Sequence, residues 1–291
     1  MQINWKNIFL IIHPDQYIKN TFIFLPLFFE LRINEFNLLL KATIAFIAFS
    51  MICSSVYILN DLHDIEDDRL HPKKKLRPIA SGAITKLQSS ITMVIFFLLG
   101  LALSFILIPS VTMVLMAYFV LNIFYTFYLK KVPIIDVATI AIFFVIRVLV
   151  GSIATDVSLS EWIVVLTFLL ALFLALAKRR DDVKIFTDTG NKMRKVVDNY
   201  TLQFLDISTI MIASVVIVAY IVVLTSDFTV EKYHSQYLYL TALFVIVGIM
   251  RYLQFVFVIN DAGSPTKIVL KDRFMQLTIL CWGFSFVFMI Y

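Results

Sequence analysis

NDLHDIEDDRLHPKKKLRPIASG, residues Asn60 to Gly82, sets acid and then base between two long apolar runs, where a membrane segment meets water. Asp61, Asp64 and Asp68 stand at i, i+3 and i+7, so a helix continuing through them carries all three on one face. Such a face repels itself without a cation. Mg2+ prefers a couple of carboxylates completed by water and substrate phosphates, and Lys73, Lys74, Lys75 and Arg77 follow directly. The pattern predicts a site for a magnesium-bound diphosphate, with Asp61, Asp64 and Asp68 as metal ligands and Asn60, Lys73 and Arg77 as phosphate contacts. Glu66 and Asp67 fall off that face and are expected to be solvated or to support the ligands.

On both sides of this stretch the chain reads as membrane. Of its 291 residues 60% are hydrophobic and 15% charged, against about 25% charged in a soluble domain. Apolar runs at 17–34, 38–60, 88–108, 110–129, 134–154, 161–177, 203–225, 236–259 and 274–291 predict an all-α integral membrane protein of about nine spanning helices, 1–291 forming a single transmembrane domain. Pro109 and Ser110 separate the third and fourth runs as a tight hairpin. Residues 1–14 show no cleavable signal pattern, so the first helix is expected to insert uncleaved. Cys53 and Cys281 lie far apart in apolar runs, which argues against a disulfide or a cysteine metal site.

Charge sets the orientation. Every Lys and Arg except Arg32, Lys41 and Lys232, and the intramembrane Arg147 and Arg251, falls on one side of this topology. By the positive-inside rule that side is cytoplasmic, which puts the N-terminus inside, the C-terminus outside and the acidic stretch at the cytoplasmic surface of the inner membrane. The net charge of +5 then reflects topology and anion binding, and no nucleic-acid partner is needed.

The run Asn60-Asp61-x-x-Asp64-x-x-x-Asp68 with Arg77-Pro78-Ile79-Ala80-Ser81-Gly82 resembles the first aspartate motif of the UbiA superfamily of intramembrane prenyltransferases. That resemblance implies helices around a central cavity open to the cytoplasmic side. Further matches resemble its branch acting on decaprenyl phosphate as a phosphoribosyltransferase: Pro14-x-Gln16-Tyr17-x-Lys19-Asn20, His71-Pro72-Lys73, Tyr125-x-x-Tyr128-Leu129-Lys130, Ile146-Arg147-x-x-x-Gly151, Ser264-Pro265 and Leu270-Lys271-Asp272-Arg273. The branch implies 5-phosphoribosyl diphosphate as donor, a polyprenyl phosphate in the membrane lipid as acceptor, and a product that feeds cell-wall synthesis. Gln16, Tyr125 and Tyr128 become possible substrate contacts on this resemblance. The chain departs from the prenyl-diphosphate enzymes after the sixth run, where Lys178-Arg179-Arg180-Asp181-Asp182 replaces a second aspartate motif.

Two phosphorylated substrates call for cations, because Arg offers bidentate hydrogen bonds and Lys a mobile point charge. Lys178 and Arg179, with Asp182, are assigned to the donor phosphates, and Lys19, Lys130 and Arg147 to the lipid phosphate or a donor phosphate. A charge inside a span normally faces the bundle interior or a cavity, and Arg147 fits either a phosphate or a pairing with Asp136. Lys184, Lys192, Arg194 and Lys195 read as ordinary loop charge, and His63 and His71 as interfacial hydrogen-bonding groups. The alternatives are a prenyl diphosphate-dependent aromatic prenyltransferase and a carrier of anionic lipid. A homo-oligomer is compatible with the sequence.

Overall fold

The computed structural model describes residues 5–70, 74–189, 199–260 and 265–290. Lys73, His71, Lys192, Arg194, Lys195 and Ser264 lie outside them. Among the described residues there are helices and no strands, and eight helices are long and apolar enough to cross a membrane. They are α1 (Phe36–His63), α2 (Lys86–Leu107), α3 (Pro109–Phe127), α4 (Ile135–Thr155), α5 (Glu161–Thr189), α6 (Leu202–Thr225), α7 (Ala242–Gln254, with its flanking turns) and α8 (Arg273–Ile290). Their bounds follow the apolar runs closely, and Pro109 opens α3 at the first helical position, where its missing N–H costs nothing.

The first expected span differs. Residues 17–34 do not form one long helix: Pro14–Phe24 is 3-10 helix and Leu25–Phe29 a short α-helix. Pro14 and Pro26 withhold backbone donors, and Leu31 turns the chain at φ 58. The tighter coil rises more per residue, at about 2.0 Å against about 1.5 Å, so the two pieces together reach about 30 Å, the thickness of the hydrocarbon core. The segment is held by a close approach to α4. A Cβ on Gly151 would stand 1.9 Å from the Ile23 carbonyl oxygen, so only glycine lets the two backbones meet here.

The chain divides between Ser160 and Glu161 into two compact units. In the N-terminal unit α1 is the central helix, packed by α2, α3, α4 and the 3-10 segment around Phe49, Ile52, Cys53, Leu115 and Tyr118. In the C-terminal unit α5 packs on α6, and α7 on α8, around Phe173, Ala213, Ile249 and Val256. Large apolar side chains such as Leu98, Phe105, Phe284 and Phe288 remain exposed on the outer faces, as helices facing lipid require.

Candidate functional site

The carboxylates cluster at the end of α1, with a break in the expected single face. The helix stops at His63, Asp64 sits at its C-cap (φ −97, ψ 17), and Ile65–Leu70 starts a new short helix. Glu66, Asp67 and Asp68 occupy the first turn of that helix, where acids are favoured by its exposed N–H groups, so the acidic run itself restarts the helix. Asp61 and Asp68 nonetheless converge. Arg77 Nη1 donates to Asp61 Oδ1 at 2.7 Å and to Asp68 Oδ2 at 2.8 Å.

Asp64 points elsewhere. Its Oδ1 accepts from Lys130 Nζ at 2.5 Å and lies 2.7 Å from His63 Nδ1. The buried Lys130 stands on a 3-10 turn after α3 and reaches Asn60 Oδ1 at 3.4 Å as well. Lys74 Nζ approaches Asp68 Oδ1 at 3.8 Å. Burial pushes the Asp68 carboxyl above its ordinary range, against the opposing pull of Arg77 and Lys74.

Apolar packing fixes the loop that carries Arg77. Ile79 and Ile84 join Ile58, Ile65 and Ile11 in a buried cluster under it. Gly82 turns the chain at φ 79, and Thr85 caps α2 reciprocally with Gln88. Arg69 Nε donates to Ala80 O at 3.0 Å, tying the new helix to the same turn.

Two carboxylates that share one nitrogen bracket one cation-sized position. Magnesium is commonly held by one or two carboxylates plus substrate phosphates and water, and Asp61 with Asp68 fits that demand. Among the described residues no group of three His, Cys, Asp or Glu side chains is set to hold an ion by itself. The geometry therefore suits a metal shared with a phosphorylated ligand.

His13 was not anticipated. Its Nε2 lies 2.9 Å from Asp61 Oδ2, and its backbone takes the left-handed conformation at φ 52 immediately before Pro14. The only trace in the sequence is a His-Pro step at the head of the Gln16–Asn20 motif. Within that motif Gln16 donates to Asp15 at the exposed surface, and Tyr17 OH lies 2.6 Å from Ser54 Oγ. Asn20 is buried and donates to Ser50 Oγ at 2.9 Å. Lys19 is half-buried.

Arg147 lies deeper in the same unit, 3% exposed. It donates to Asn20 Oδ1 at 2.9 Å, to Phe143 O at 2.7 Å and to Tyr118 OH at 3.5 Å, with Cys53 Sγ at 3.9 Å. Phe144, Phe49 and Tyr118 rings stand 5.0, 5.2 and 5.7 Å from its Cζ. Asp136 is not among these hydrogen-bond partners. Tyr125 packs edge-on against Phe143, whereas Tyr128 is 66% exposed at the end of α3.

In the C-terminal unit the basic run is helical, because α5 continues through it to Thr189 instead of ending at 177. Helical spacing then pairs Arg179 Nη1 with Asp182 Oδ2 at 2.7 Å. Arg180, which had no assigned role, donates to Asp206 Oδ1, Val256 O and Asn260 Oδ1, joining α5, α6 and the π-turn after α7. Asp272, in the Leu270–Arg273 motif, holds Arg251 with both oxygens and accepts from Met275 N at the head of α8. That motif serves packing.

Comparison with known proteins agrees with this architecture. The model of the UbiA prenyltransferase family matches residues 27–282. The chain is 29% identical over 278 residues to the decaprenyl-phosphate phosphoribosyltransferase of Mycobacterium tuberculosis, covering 93% of this chain and 90% of that protein. It is likewise 29% identical to the protein of the same name in Corynebacterium glutamicum, over 96% of this chain and 85% of that one. Among solved structures, a UbiA homolog from Archaeoglobus fulgidus bound to DMAPP and Mg2+ superposes with a TM-score of 0.69 at 16% identity, over 97% of this chain and 99% of that one.

Proposed function

The chain belongs to the UbiA prenyltransferase family, and from that premise we propose that it transfers the 5-phosphoribosyl group of 5-phosphoribosyl diphosphate to a polyprenyl phosphate, releasing diphosphate. The likeness to two decaprenyl-phosphate phosphoribosyltransferases across nearly the whole chain supports the choice of donor and acceptor. The observation that carries the chemistry is the convergence of Asp61 and Asp68 on Arg77, with Lys74 beside Asp68, which marks one cation position. Asp61 and Asp68 are the residues that would hold Mg2+, which when bound neutralises the diphosphate leaving C1 of the ribose. Asn60 and Lys130 meet one another at the same helix end and are further candidate phosphate contacts. Lys73 belongs with them by its place in the sequence, and Asp64 keeps Lys130 in place.

An oxygen of the lipid phosphate forms the new bond to C1 as the bond from C1 to the diphosphate oxygen breaks, and the electron pair leaves with the diphosphate. A phosphate monoester is already anionic at neutral pH, so no proton has to be removed. The chain's own work is positioning and charge compensation. Lys178 and Arg179 are further candidate phosphate contacts, the charge of Arg179 being shared with Asp182. The protein is an integral membrane protein, and its charge distribution supports a multi-pass topology in the inner membrane with the carboxylates on the cytoplasmic side.

The test offers the purified protein both donors in one reaction. With 5-phosphoribosyl diphosphate, a prenyl diphosphate, polyprenyl phosphate and an aromatic acid all present, mass spectrometry should find polyprenyl phosphate heavier by one phosphoribosyl group. A prenylated aromatic acid instead would replace this function with aromatic prenyl transfer on the same fold.

A further inference from the structure

The carboxylate end and the buried Arg147 cluster both belong to the N-terminal unit, and α1 sets the distance between them. Cys53, beside the Arg147 guanidinium, precedes Asp61 by eight residues on α1, which is about 12 Å along the axis at about 1.5 Å per residue. Among the described residues, the groups that Arg147 hydrogen-bonds or stacks on are neutral: an amide oxygen, a backbone carbonyl, a phenol, a thiol and three aromatic rings. Lys19, next to Asn20 in the chain, makes no hydrogen bond or ion pair with any described residue, and it and Arg147 repel one another. A buried guanidinium and a half-buried ammonium that repel one another, with the exposed Asp15 the only carboxylate among the described residues acting in opposition on Lys19, are costly, and aromatic faces return only part of that cost. Inside a membrane such charges mark a substrate's place.

We propose that Lys19 and Arg147 form a second anion subsite that takes the 5-phosphate of the donor, so that the site demands a substrate with an anion at each end. The proposal rests on the function argued above and adds its specificity. A phosphoribosyl donor is a short, stiff spacer: one end carries the diphosphate that Asp61 and Asp68 bind through metal, and the other carries a phosphate that must find a cation a fixed distance away. Polyprenyl phosphate has a single anionic end and does not need two subsites. A prenyl diphosphate also has one, and it would lay hydrocarbon against an uncompensated guanidinium. Sites with buried polar groups reject analogues that leave those groups unpaired, so this pair of cations would select against prenyl donors.

Ribose 5-phosphate, which has the phosphate and lacks the diphosphate, is the probe. In the full-length protein Lys19→Met should raise KM for 5-phosphoribosyl diphosphate about tenfold or more, leave KM for polyprenyl phosphate within about twofold, and weaken inhibition by ribose 5-phosphate by the same factor as the donor KM. Lys19→Arg should restore most of the affinity, and Arg147→Lys should repeat the donor-only effect. If KM for polyprenyl phosphate rises instead, the lipid phosphate is the occupant and the assignment is overturned while the function stands. Undiminished inhibition of Lys19→Met by ribose 5-phosphate overturns it too. A wild-type protein that transfers no phosphoribosyl group overturns the function and this assignment together.

Discussion

Arg77 and Arg147 carry the same guanidinium in the same unit, yet one nitrogen of Arg77 is shared by two carboxylates while Arg147 hydrogen-bonds only neutral groups among the described residues. The Arg77 region is compensated internally, at the end of α1 where water is near, and its acids outnumber what one arginine neutralises. The Arg147 region is compensated by geometry alone, through Asn20, a carbonyl and stacked rings. The contrast separates two ways of meeting an anionic substrate. On the function proposed above, one end would draw it through a cation held between acids, and the other would draw it directly.

Substitutions test this division, beginning with the largest effect. Asp61→Asn and Asp68→Asn each remove a charge from the shared position and should lower kcat by about a thousandfold, with an unchanged elution profile in detergent showing that the fold survives. A variant near wild-type turnover would break the claim that the Arg77 region acts through paired carboxylates.

Gly151→Ala forces the Ile23 backbone away from α4 and with it the Asn20 contact to Arg147. A thermal melt should show a loss of about 1–3 kcal/mol, and donor KM should rise while Mg2+ dependence stays that of wild type. The C-terminal unit supplies a control. Asp272→Ala removes the Arg251 pairing and the cap of α8, costing about 1 kcal/mol of stability without altering the ratio of the two substrate KM values. The smallest effect belongs to Tyr128→Phe at an exposed position, where steady-state kinetics should move less than about twofold.

The sequence made the acidic end legible because motif spacing and positive-inside counting act locally. Asp61, Asp68 and Arg77 come together, and Asn60 meets Lys130, at the end of the same helix. Other features depend on backbone paths that spacing does not encode. The break at Asp64 turns one carboxylate toward Lys130, and His13 reaches Asp61 only because the chain reverses hand before Pro14. Arg147 was readable as an intramembrane charge, but its hydrogen bond to Asn20 depends on the 3-10 segment packing over Gly151. Hydropathy drops at Lys178, and the helix continues because Arg179 and Asp182 support each other at helical spacing. The first expected span eluded the periodicity for a similar reason: a 3-10 coil and a short α-helix stand there in place of one long helix.

One assay reaches the central claim directly. Purified protein in detergent is given polyprenyl phosphate, Mg2+ and 5-phosphoribosyl diphosphate labelled in the ribose, and label is followed into the organic phase. The account predicts label in the lipid that EDTA abolishes and added Mg2+ restores. Label that stays in the aqueous phase while a prenyl diphosphate is consumed, or transfer that is indifferent to EDTA, would contradict it.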